Sequence, residues 1–360
     1  MPDFTGCQVY VTRLLENLFP LAPDTTFHLH FAMEGWNSGI DRLLEAPNAV
    51  AHRHYGAVGR HLAPVKNILQ TRSSSYYLLN GNTGWLRVSV PCPSIALLHD
   101  LRFVLCPQIY GQKYCADFAR AAKKWMPRRD RIVTVSETVK REILEFSGLP
   151  EDRVVVAPNA ANIDENTKAV SKPASLPEGA CYFLMVNPSD LRKNWKQVLD
   201  GFELYLADTG DEATELVLAG KLGANEESLT AYLERKPALK KRVRLVGFVS
   251  DGELCYLYRN ARLMVYPSVY EGFGIPVLEA IGNGAPVIVS DIPVFREVTN
   301  GAAVFVPLDD PAALCEAYSR LESDSVLRSE FVEAGKIQAR KYTWKGSAAV
   351  TLEMLRGFDQ

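Results

Sequence analysis

Short, continuously apolar segments alternate with longer segments of helical periodicity through the second half of the chain. Continuously apolar strands between helices are typical of a parallel sheet that is covered on both faces. We therefore predict a doubly wound, Rossmann-like α/β domain in this half. The predicted strands cover residues 181–187, 215–220, 242–248, 262–268, 285–291 and 301–306.

Helix starts can be located between these strands. Ser250 and Glu253 have the spacing of a capping box, and Pro276 suits the first turn of a helix. We expect Asn194 to cap the helix that follows the first strand. The loops after the strands therefore lead directly into helix N-termini.

The first half of the chain is less regular. Residues 6–21 have a helical pattern, 25–31 alternate like a strand, and buried-type strands are predicted at 94–100, 131–136 and 153–159. These features favour a second doubly wound domain, so the fold class is α/β with two Rossmann-like domains that face a central cleft. Ligands of such domains bind at the carboxyl ends of the strands.

The domain boundaries follow from a polar, proline-containing stretch near the middle of the chain. We predict an N-terminal domain over 1–165, a linker over 166–178 and a C-terminal domain over 179–343. A C-terminal helix over 344–360 is expected to pack back on the N-terminal domain.

Composition excludes several classes of protein. The 360 residues are 47% hydrophobic and carry a net charge of −2, so no basic field points to nucleic acid. No run of 18 apolar residues predicts a membrane span, and the N-terminus lacks the features of a signal peptide. The seven cysteines are scattered, without a C-x-x-C pair, which indicates a reducing, cytoplasmic location with buried thiols.

The loop at 268–275 holds two glycines, which allow a close backbone approach to a ligand. The dinucleotide fingerprint fails because Val277 replaces its third glycine. A tight turn without a ligand is the alternative. Glu271 lies before the helix amides, and Glu279 is placed in the first helical turn, where either could bind sugar or ribose hydroxyls. A favourable helix dipole is the alternative explanation of Glu279.

Further candidates follow two other strands. Arg192 and Lys193 could clamp a diphosphate, unless they are an ordinary solvated basic pair. His99 could donate to a sugar hydroxyl or transfer a proton, unless it is satisfied by its neighbour Asp100.

The sequence offers few arrangements of residues that could bind a metal. Two H-x-H pairs, His28 with His30 and His52 with His54, each fall on one strand face, but no third ligand or supporting carboxylate is evident. No D-x-D sequence occurs, which argues against a metal ion that clamps a diphosphate. Side chains and helix amides would neutralise the diphosphate instead. We predict no metal site.

Several of these segments resemble one family. The sequence RLVGFVSDGELCYLYRNARLMVYPSVYEGFGIPVLEAIGNGAPVIVSD is similar to the C-terminal signature of the family 4 retaining glycosyltransferases of GT-B fold. The E-x7-E motif of that family falls on Glu271 and Glu279, and LMVNPSDLRKNW resembles its RKN loop. IALLHDLRF, RIVTVSETVKREI, RVVVAPN and RKYTWKGSA also match in order. The resemblance extends from Gly6 and is strongest over 181–310.

The resemblance implies a role for each matching residue. Arg192 and Lys193 would bind the donor diphosphate, and Glu279 would hold the ribose hydroxyls. Glu271 would hold the donor sugar, and His99 would approach that sugar from the N-terminal, acceptor-binding domain. The remaining donor-binding positions implied are Gly6 of the N-terminal glycine loop, Phe248, Val249, Gly272, Phe273, Gly274 and Ile275.

Three positions depart from the family pattern. Asn187, followed by Pro188, stands where a glycine is usual, and IGNG at 281–284 replaces a more usual small-residue sequence. The family also has a β-strand before the glycine loop, whereas this chain reaches Gly6 almost at once. Either that strand is missing or the assigned start omits it.

The HDL and RKN variants resemble the mannosyltransferase-like branch that builds bacterial polysaccharides and O-antigens. The expected reaction moves mannose from GDP-mannose to a glycan or lipid-linked saccharide, with retention and with neither cofactor nor metal. The alternatives are a donor-binding but inactive subunit and a sugar-nucleotide epimerase. The basic segment 119–131 could touch anionic lipid at the inner membrane face; a solvated helix face is its alternative.

Overall fold

The computed structural model describes residues 6–32, 38–54, 77–80, 92–161, 170–223 and 226–358. The chain forms two compact units. One comprises Met1–Asn159 together with Tyr342–Gln360, and the other comprises Ala160–Lys341. Of the predicted linker, residues 166–169 lie outside the described residues, as do the residues before Gly6.

The first unit contains short strands and helices in alternation. Its strands are β1 (Phe27–Ala32), β2 (Ala49–His54), β3 (Tyr77–Asn80), β4 (Ser94–Leu97), β5 (Arg131–Thr134) and β6 (Val154–Val156). Its helices before the second unit are α1 (Gly6–Leu18), α2 (Ser38–Leu43), α3 (Arg102–Leu105), α4 (Pro107–Tyr110), α5 (Gln112–Trp125) and α6 (Glu137–Ser147).

The strands of this unit pair in parallel. β3, β4, β5 and β6 form one sheet in that order, and β1 pairs with β2 in a second, two-stranded sheet. Ile132 of β5 and Ile143 of α6 are fully buried in the core between the sheet and its helices. The sequence predicted β1, β4, β5 and β6. β2 was expected only as the strand face that carries His52 and His54, and β3 was not predicted.

The second unit follows the predicted order of elements. Its strands are β7 (Tyr182–Val186), β8 (Glu215–Ala219), β9 (Val243–Gly247), β10 (Leu263–Tyr266), β11 (Val287–Ser290) and β12 (Val304–Val306). Its helices are α7 (Trp195–Thr209), α8 (Glu226–Glu234), α9 (Pro237–Lys240), α10 (Asp251–Asn260), α11 (Ile275–Gly282), α12 (Pro293–Thr299), α13 (Pro311–Ser323) and α14 (Ser325–Ala339).

The sheet of this unit is entirely parallel, with the strand order β12-β11-β10-β7-β8-β9. The chain runs outward from β7 to one edge and then returns to β10 to build the other edge. The strand order therefore reverses between β7 and β10. Crevices at such switch points, outside the carboxyl ends of the strands, are where doubly wound sheets bind ligands.

The two predicted helix caps have different outcomes. Ser250 and Glu253 form a complete capping box at the start of α10, as predicted. Asn194 stands at the start of α7 but makes no capping bond, because it adopts a left-handed conformation (φ 52°) and its side chain donates to Gln197 instead. The expectation for Asn194 was wrong.

The final helix, α15 (Trp344–Arg356), belongs to the first unit and packs against α1. The rings of Trp344 and Tyr10 meet edge to face at 5.6 Å, and Ser347 Oγ donates to the carbonyl of Pro158. Among the described residues, no helix combines the length and the apolar character needed to cross a membrane.

Candidate active site

The two loops that leave β7 and β10 meet at the switch point of the second unit. Residues Leu191–Lys193 form a single 3-10 turn after β7. The backbone amide of Val269, after β10, donates to the carbonyl of Arg192 at 2.8 Å. The loop predicted to bind phosphate and the loop with the glycines are therefore held together by the backbone.

Four charged side chains converge in this crevice. Lys193 Nζ forms an ion pair with Glu271 Oε1, and Arg192 Nη1 lies 3.9 Å from Glu271 Oε2. Asp190 accepts from Arg192 Nε at 3.1 Å. Arg192 and Lys193 are only 6% and 5% exposed, so they are not the solvated basic pair considered from sequence.

Neighbouring groups hold this cluster in place. Ser268 Oγ donates to Glu271 Oε1 at 2.9 Å, and the Lys193 ammonium lies 4.6 Å from the centre of the Tyr266 ring. Both Ser268 and Tyr266 are buried. The attraction of a cation to an aromatic face and the hydrogen bond from a hydroxyl to a carboxylate are both stronger when water is excluded.

Burial and charge oppose each other in setting the protonation of the cluster. Burial raises the pKa of Glu271, but the charges of Lys193 and Arg192 and hydrogen bonds from Lys193 and Ser268 outweigh it, and the pKa lies below its ordinary value. Burial lowers the pKa of Lys193, and the attraction of Glu271 opposes this without cancelling it. Glu271 is therefore an ionised carboxylate at neutral pH.

The glycine turn places a helix N-terminus beside the cluster. Gly274 has φ 93°, a conformation that favours glycine, and a Cβ there would lie 2.6 Å from Phe295 Cε1. Ile275 begins α11, and Pro276 stands in its first turn, as predicted. Gly272 and Phe273 complete the turn and are buried. The glycine at 274 is therefore required both by backbone conformation and by lack of space.

Glu279 does not lie in the first turn of α11, as expected from sequence, but in the second, because the helix already begins at Ile275, one residue before Pro276. A dipole effect from the first turn therefore cannot explain it. Its carboxylate accepts a hydrogen bond from the buried hydroxyl of Tyr258. Glu279 is half-buried.

Asn187 illustrates how the departure from the family pattern is accommodated. It has φ 55°, a left-handed conformation that asparagine adopts more readily than most residues. Its amide donates to Ala219 at the end of β8, and a Cβ on Gly220 would meet the Asn187 backbone at 3.2 Å. The asparagine thus fits a position where glycine is usual.

Phe248 and Val249 lie just beyond the end of β9, one strand from β8. Phe248 is 72% exposed, and the Lys221 ammonium lies 5.7 Å from the centre of its ring. An exposed aromatic face at the carboxyl edge of a sheet is suited to stacking on a planar ring.

His99 belongs to the first unit and follows β4. It is buried against Tyr10, with ring centres 4.8 Å apart, and within the described ranges its Nε2 has no hydrogen-bond partner. Burial, and secondarily the charge of Arg102, lower the pKa of His99 from 6.5 to about 4. The imidazole is therefore neutral at pH 7. Gly6 is the first residue of α1, and the loop that would precede it lies outside the described residues.

The described parts of the chain hold no group of three or more His, Cys, Asp or Glu side chains that could bind a metal. His28 Nδ1 and His52 Nε2 lie 2.8 Å apart as a hydrogen-bonded pair on β1 and β2. The side chains of His30 and His54 lie outside the described residues.

Sequence reasoning missed several residues that support the site: Asp190, Tyr258, Tyr266 and Ser268. Asp190 had a local signal, since an Asp two residues before a backbone amide is typical of an Asx turn; its side chain accepts from the Arg192 amide at 3.0 Å. Ser268 lies only three residues before Glu271, to which it donates. Tyr258 and Tyr266 act across strands and helices, so no local pattern could reveal them.

Two family models match the chain. Residues 166–338 match the model described as glycosyl transferases group 1, and residues 74–165 match the model described as glycosyltransferase family 4. The two matches adjoin and together span residues 74–338.

Relatives of known name agree with these matches. The chain is 27% identical to O-antigen chain mannosyltransferase B of Escherichia coli, over 81% of this chain and 77% of that protein. It is 31% identical to O-antigen chain mannosyltransferase RfbU of Salmonella typhimurium, over 62% and 60%. It thus spans somewhat less than two thirds of the second relative.

Solved structures share the fold at low sequence identity. A glycosyltransferase from Rickettsia africae superposes with a TM-score of 0.73 at 14% identity, over 100% of this chain and 97% of that one. Anabaena Alr3699/HepE in complex with UDP and glucose gives a TM-score of 0.74 at 16% identity, over 99% and 97%. Together with the family models, these similarities show that the chain is a family 4 glycosyltransferase of GT-B fold.

Proposed function

We propose that this glycosyltransferase moves mannose from GDP-mannose to a hydroxyl of a glycan or lipid-linked saccharide, with retention of configuration and without a metal. The observation that carries the proposal is the buried cluster of Arg192, Lys193 and Glu271 at the switch point of the second unit. The names of the relatives, O-antigen mannosyltransferases, support mannose as the sugar.

The donor diphosphate binds to Arg192 and Lys193 and to the amides at the start of α11. Asp190 and Glu271 offset the two cations, so the crevice carries no large positive field until a ligand displaces one of these partners. A phosphate takes over Lys193, and Glu271 is then released to accept hydrogen bonds from the sugar hydroxyls. Exchange of one anionic partner for another avoids leaving a buried charge unpaired.

The rest of the donor lies along the same edge of the sheet. Glu279 accepts from the ribose hydroxyls, Phe248 and Val249 contact the base, and Gly272 and Ile275 flank the diphosphate. His99, neutral at pH 7, donates to a sugar hydroxyl. The amides of Phe273 and Gly274 join Glu271 in holding the donor sugar.

The proposed retention does not use Glu271 as a nucleophile. In the donor complex Glu271 accepts hydrogen bonds from Ser268 and from the sugar hydroxyls, which weakens it as a nucleophile. The acceptor oxygen instead attacks the anomeric carbon from the side on which the diphosphate leaves. The bond from that carbon to the phosphate oxygen breaks as the new glycosidic bond forms, and the acceptor proton passes to the departing phosphate.

A membrane contact is part of the proposal for the case in which the acceptor is a lipid-linked saccharide. α5 exposes Lys113, Tyr114, Lys123 and Lys124 to solvent, which suits attraction to anionic lipid. Sedimentation with phosphatidylglycerol vesicles is expected to recover the protein, and a Lys123→Glu/Lys124→Glu variant is expected to bind more weakly. Equal recovery with phosphatidylcholine vesicles would contradict an electrostatic contact.

A thermal-shift panel of GDP-, UDP- and ADP-sugars tests the donor. GDP-mannose at 100 times its dissociation constant should stabilise the protein by about 2.7 kcal/mol, and Lys193→Ala and Glu279→Ala should reduce the shift. Stabilisation by UDP-glucose alone would contradict the choice of donor. Binding without transfer to any acceptor would favour an inactive subunit, and an altered free sugar nucleotide would favour an epimerase.

A further inference from the structure

Glu279 is attached to the neighbouring helix α10 at two points. Its carboxylate Oε2 lies 3.3 Å from the hydroxyl of Tyr258, which is 1% exposed. Its backbone carbonyl accepts from Asn283 Nδ2 at 2.9 Å, and the Asn283 side chain in turn accepts from Arg259 Nε at 3.1 Å. Two successive residues of α10 therefore determine where the side chain and the backbone of Glu279 lie.

We propose that Tyr258 is a positioning residue for nucleotide binding, which orients the Glu279 carboxylate toward the ribose hydroxyls. The inference rests on the proposed function, in which Glu279 accepts from the ribose. Tyr258 itself does not touch the nucleotide in this account. It acts by favouring one rotamer of a half-buried carboxylate.

The phenol is suited to this task because it can only donate in this setting. Burial, and then the nearby carboxylate of Glu279, raise the pKa of Tyr258 well above its ordinary value, so the hydroxyl keeps its proton. A carboxylate oxygen can accept two hydrogen bonds. Oε2 can therefore accept from Tyr258 and from a ribose hydroxyl at the same time.

The position of α10 also bears on the residues that we propose to contact the base. The helix begins at the Ser250–Glu253 capping box, directly after Phe248 and Val249, and Tyr258 lies in its last turn. One rigid helix thus connects the segment assigned to the base with the carboxylate assigned to the ribose.

Calorimetric titration with GDP and with 2′,3′-dideoxy-GDP tests the inference without any acceptor. Tyr258→Phe removes one oxygen and should weaken GDP binding about three- to ten-fold, the range expected for one hydrogen bond. The same substitution should leave binding of dideoxy-GDP within two-fold of wild type, because no ribose hydroxyl remains for Glu279 to accept. A general disturbance of packing would weaken both ligands.

Tyr182→Phe is the matched control. Tyr182 is equally buried, and its hydroxyl donates to the Leu257 carbonyl of the same helix at 2.9 Å without contact to Glu279. GDP affinity should stay within two-fold in this variant. Equal losses in Tyr182→Phe and Tyr258→Phe, or equal losses for GDP and dideoxy-GDP, would overturn the inference.

Glu279→Ala separates the inference from the proposed function. If Glu279→Ala weakens GDP binding and Tyr258→Phe does not, only the inference fails. If Glu279→Ala has no effect, the ribose role of Glu279 fails and the inference with it. UDP and its dideoxy form serve as the probes if GDP does not bind to the wild-type protein, since the ribose is common to both.

Discussion

The Lys193–Glu271 pair shows how a single residue depends on its partner inside a protein. Both side chains are almost completely buried, and each would lose its nearest opposite charge without the other. Buried pairs of this kind contribute little net stability compared with apolar residues of the same size, but removal of one partner is costly. The pair is therefore better explained by donor binding than by stability.

Glu271→Ala should lower the free energy of unfolding by about 3–5 kcal/mol, because it leaves Lys193 and Arg192 buried beside a single carboxylate. A Lys193→Met/Glu271→Leu double variant should recover most of that loss while transfer is abolished. Urea denaturation measures both. Full stability of the Glu271→Ala protein would contradict the paired state of the cluster.

His99 makes stability depend on pH in a predictable direction. The native protein holds the imidazole neutral down to about pH 4, whereas the unfolded chain takes up a proton near pH 6.5. Stabilisation by the neutral ring is complete above pH 6.5 and is lost as the pH falls towards 4. The loss should be on the order of 3 kcal/mol.

A His99→Leu variant isolates this effect, because its side chain does not titrate while the other groups remain. Unfolding free energies measured from pH 7 to pH 4 should fall less steeply for His99→Leu than for wild type. Identical slopes would show that His99 titrates normally in the native protein.

At the scale of elements, helix starts and glycine turns position the site. The turn before α11 fits only glycine at position 274, since a Cβ would collide with the ring of Phe295 in α12. That ring packs edge to face on the ring of Tyr266. Gly210, after α7, has a similar positive φ of 64° but nothing within 4 Å of a Cβ. Substitutions at the two glycines can therefore distinguish the cost of a positive φ from the cost of a steric collision.

Gly274→Ala should destabilise the protein by about 1–3 kcal/mol more than Gly210→Ala, because only the first adds a steric collision to the cost of a positive φ. Thermal unfolding of the two variants gives the comparison. Equal losses would indicate that the Phe295 ring moves aside freely.

The predictable part of the fold is the part with local signals. All six strands of the second unit were predicted, because each is a continuously apolar run, and the capping box of α10 was confirmed. The predictions of the Asn194 cap and of the helical turn that holds Glu279 were wrong. Neither a left-handed residue nor a helix start that is shifted by one residue leaves a mark in the pattern. The pairing of Lys193 with Glu271 joins positions 78 residues apart, so spacing could only suggest proximity.

At the scale of the whole molecule, the chain returns to its first unit after completing the second. α15 packs on α1 through Trp344 and Tyr10, and Tyr10 in turn contacts His99. The end of the chain therefore supports the residue expected to approach the sugar.

Trp344→Ala should destabilise the first unit by about 2 kcal/mol through loss of half-buried apolar area. Hydrogen exchange should then accelerate in peptides from 92–158, while peptides from 182–219 keep their wild-type rates. Uniform acceleration along the chain would contradict the division into two units.

The most direct test of the central claim is transfer of labelled mannose from GDP-mannose to a lipid-linked saccharide extract, with the anomeric configuration of the product assigned by NMR. We predict a new α-mannosyl linkage and release of GDP by the wild-type protein in the presence of a metal chelator, and loss of transfer in Lys193→Ala. A product of inverted configuration, or undiminished transfer by Lys193→Ala, would contradict the account.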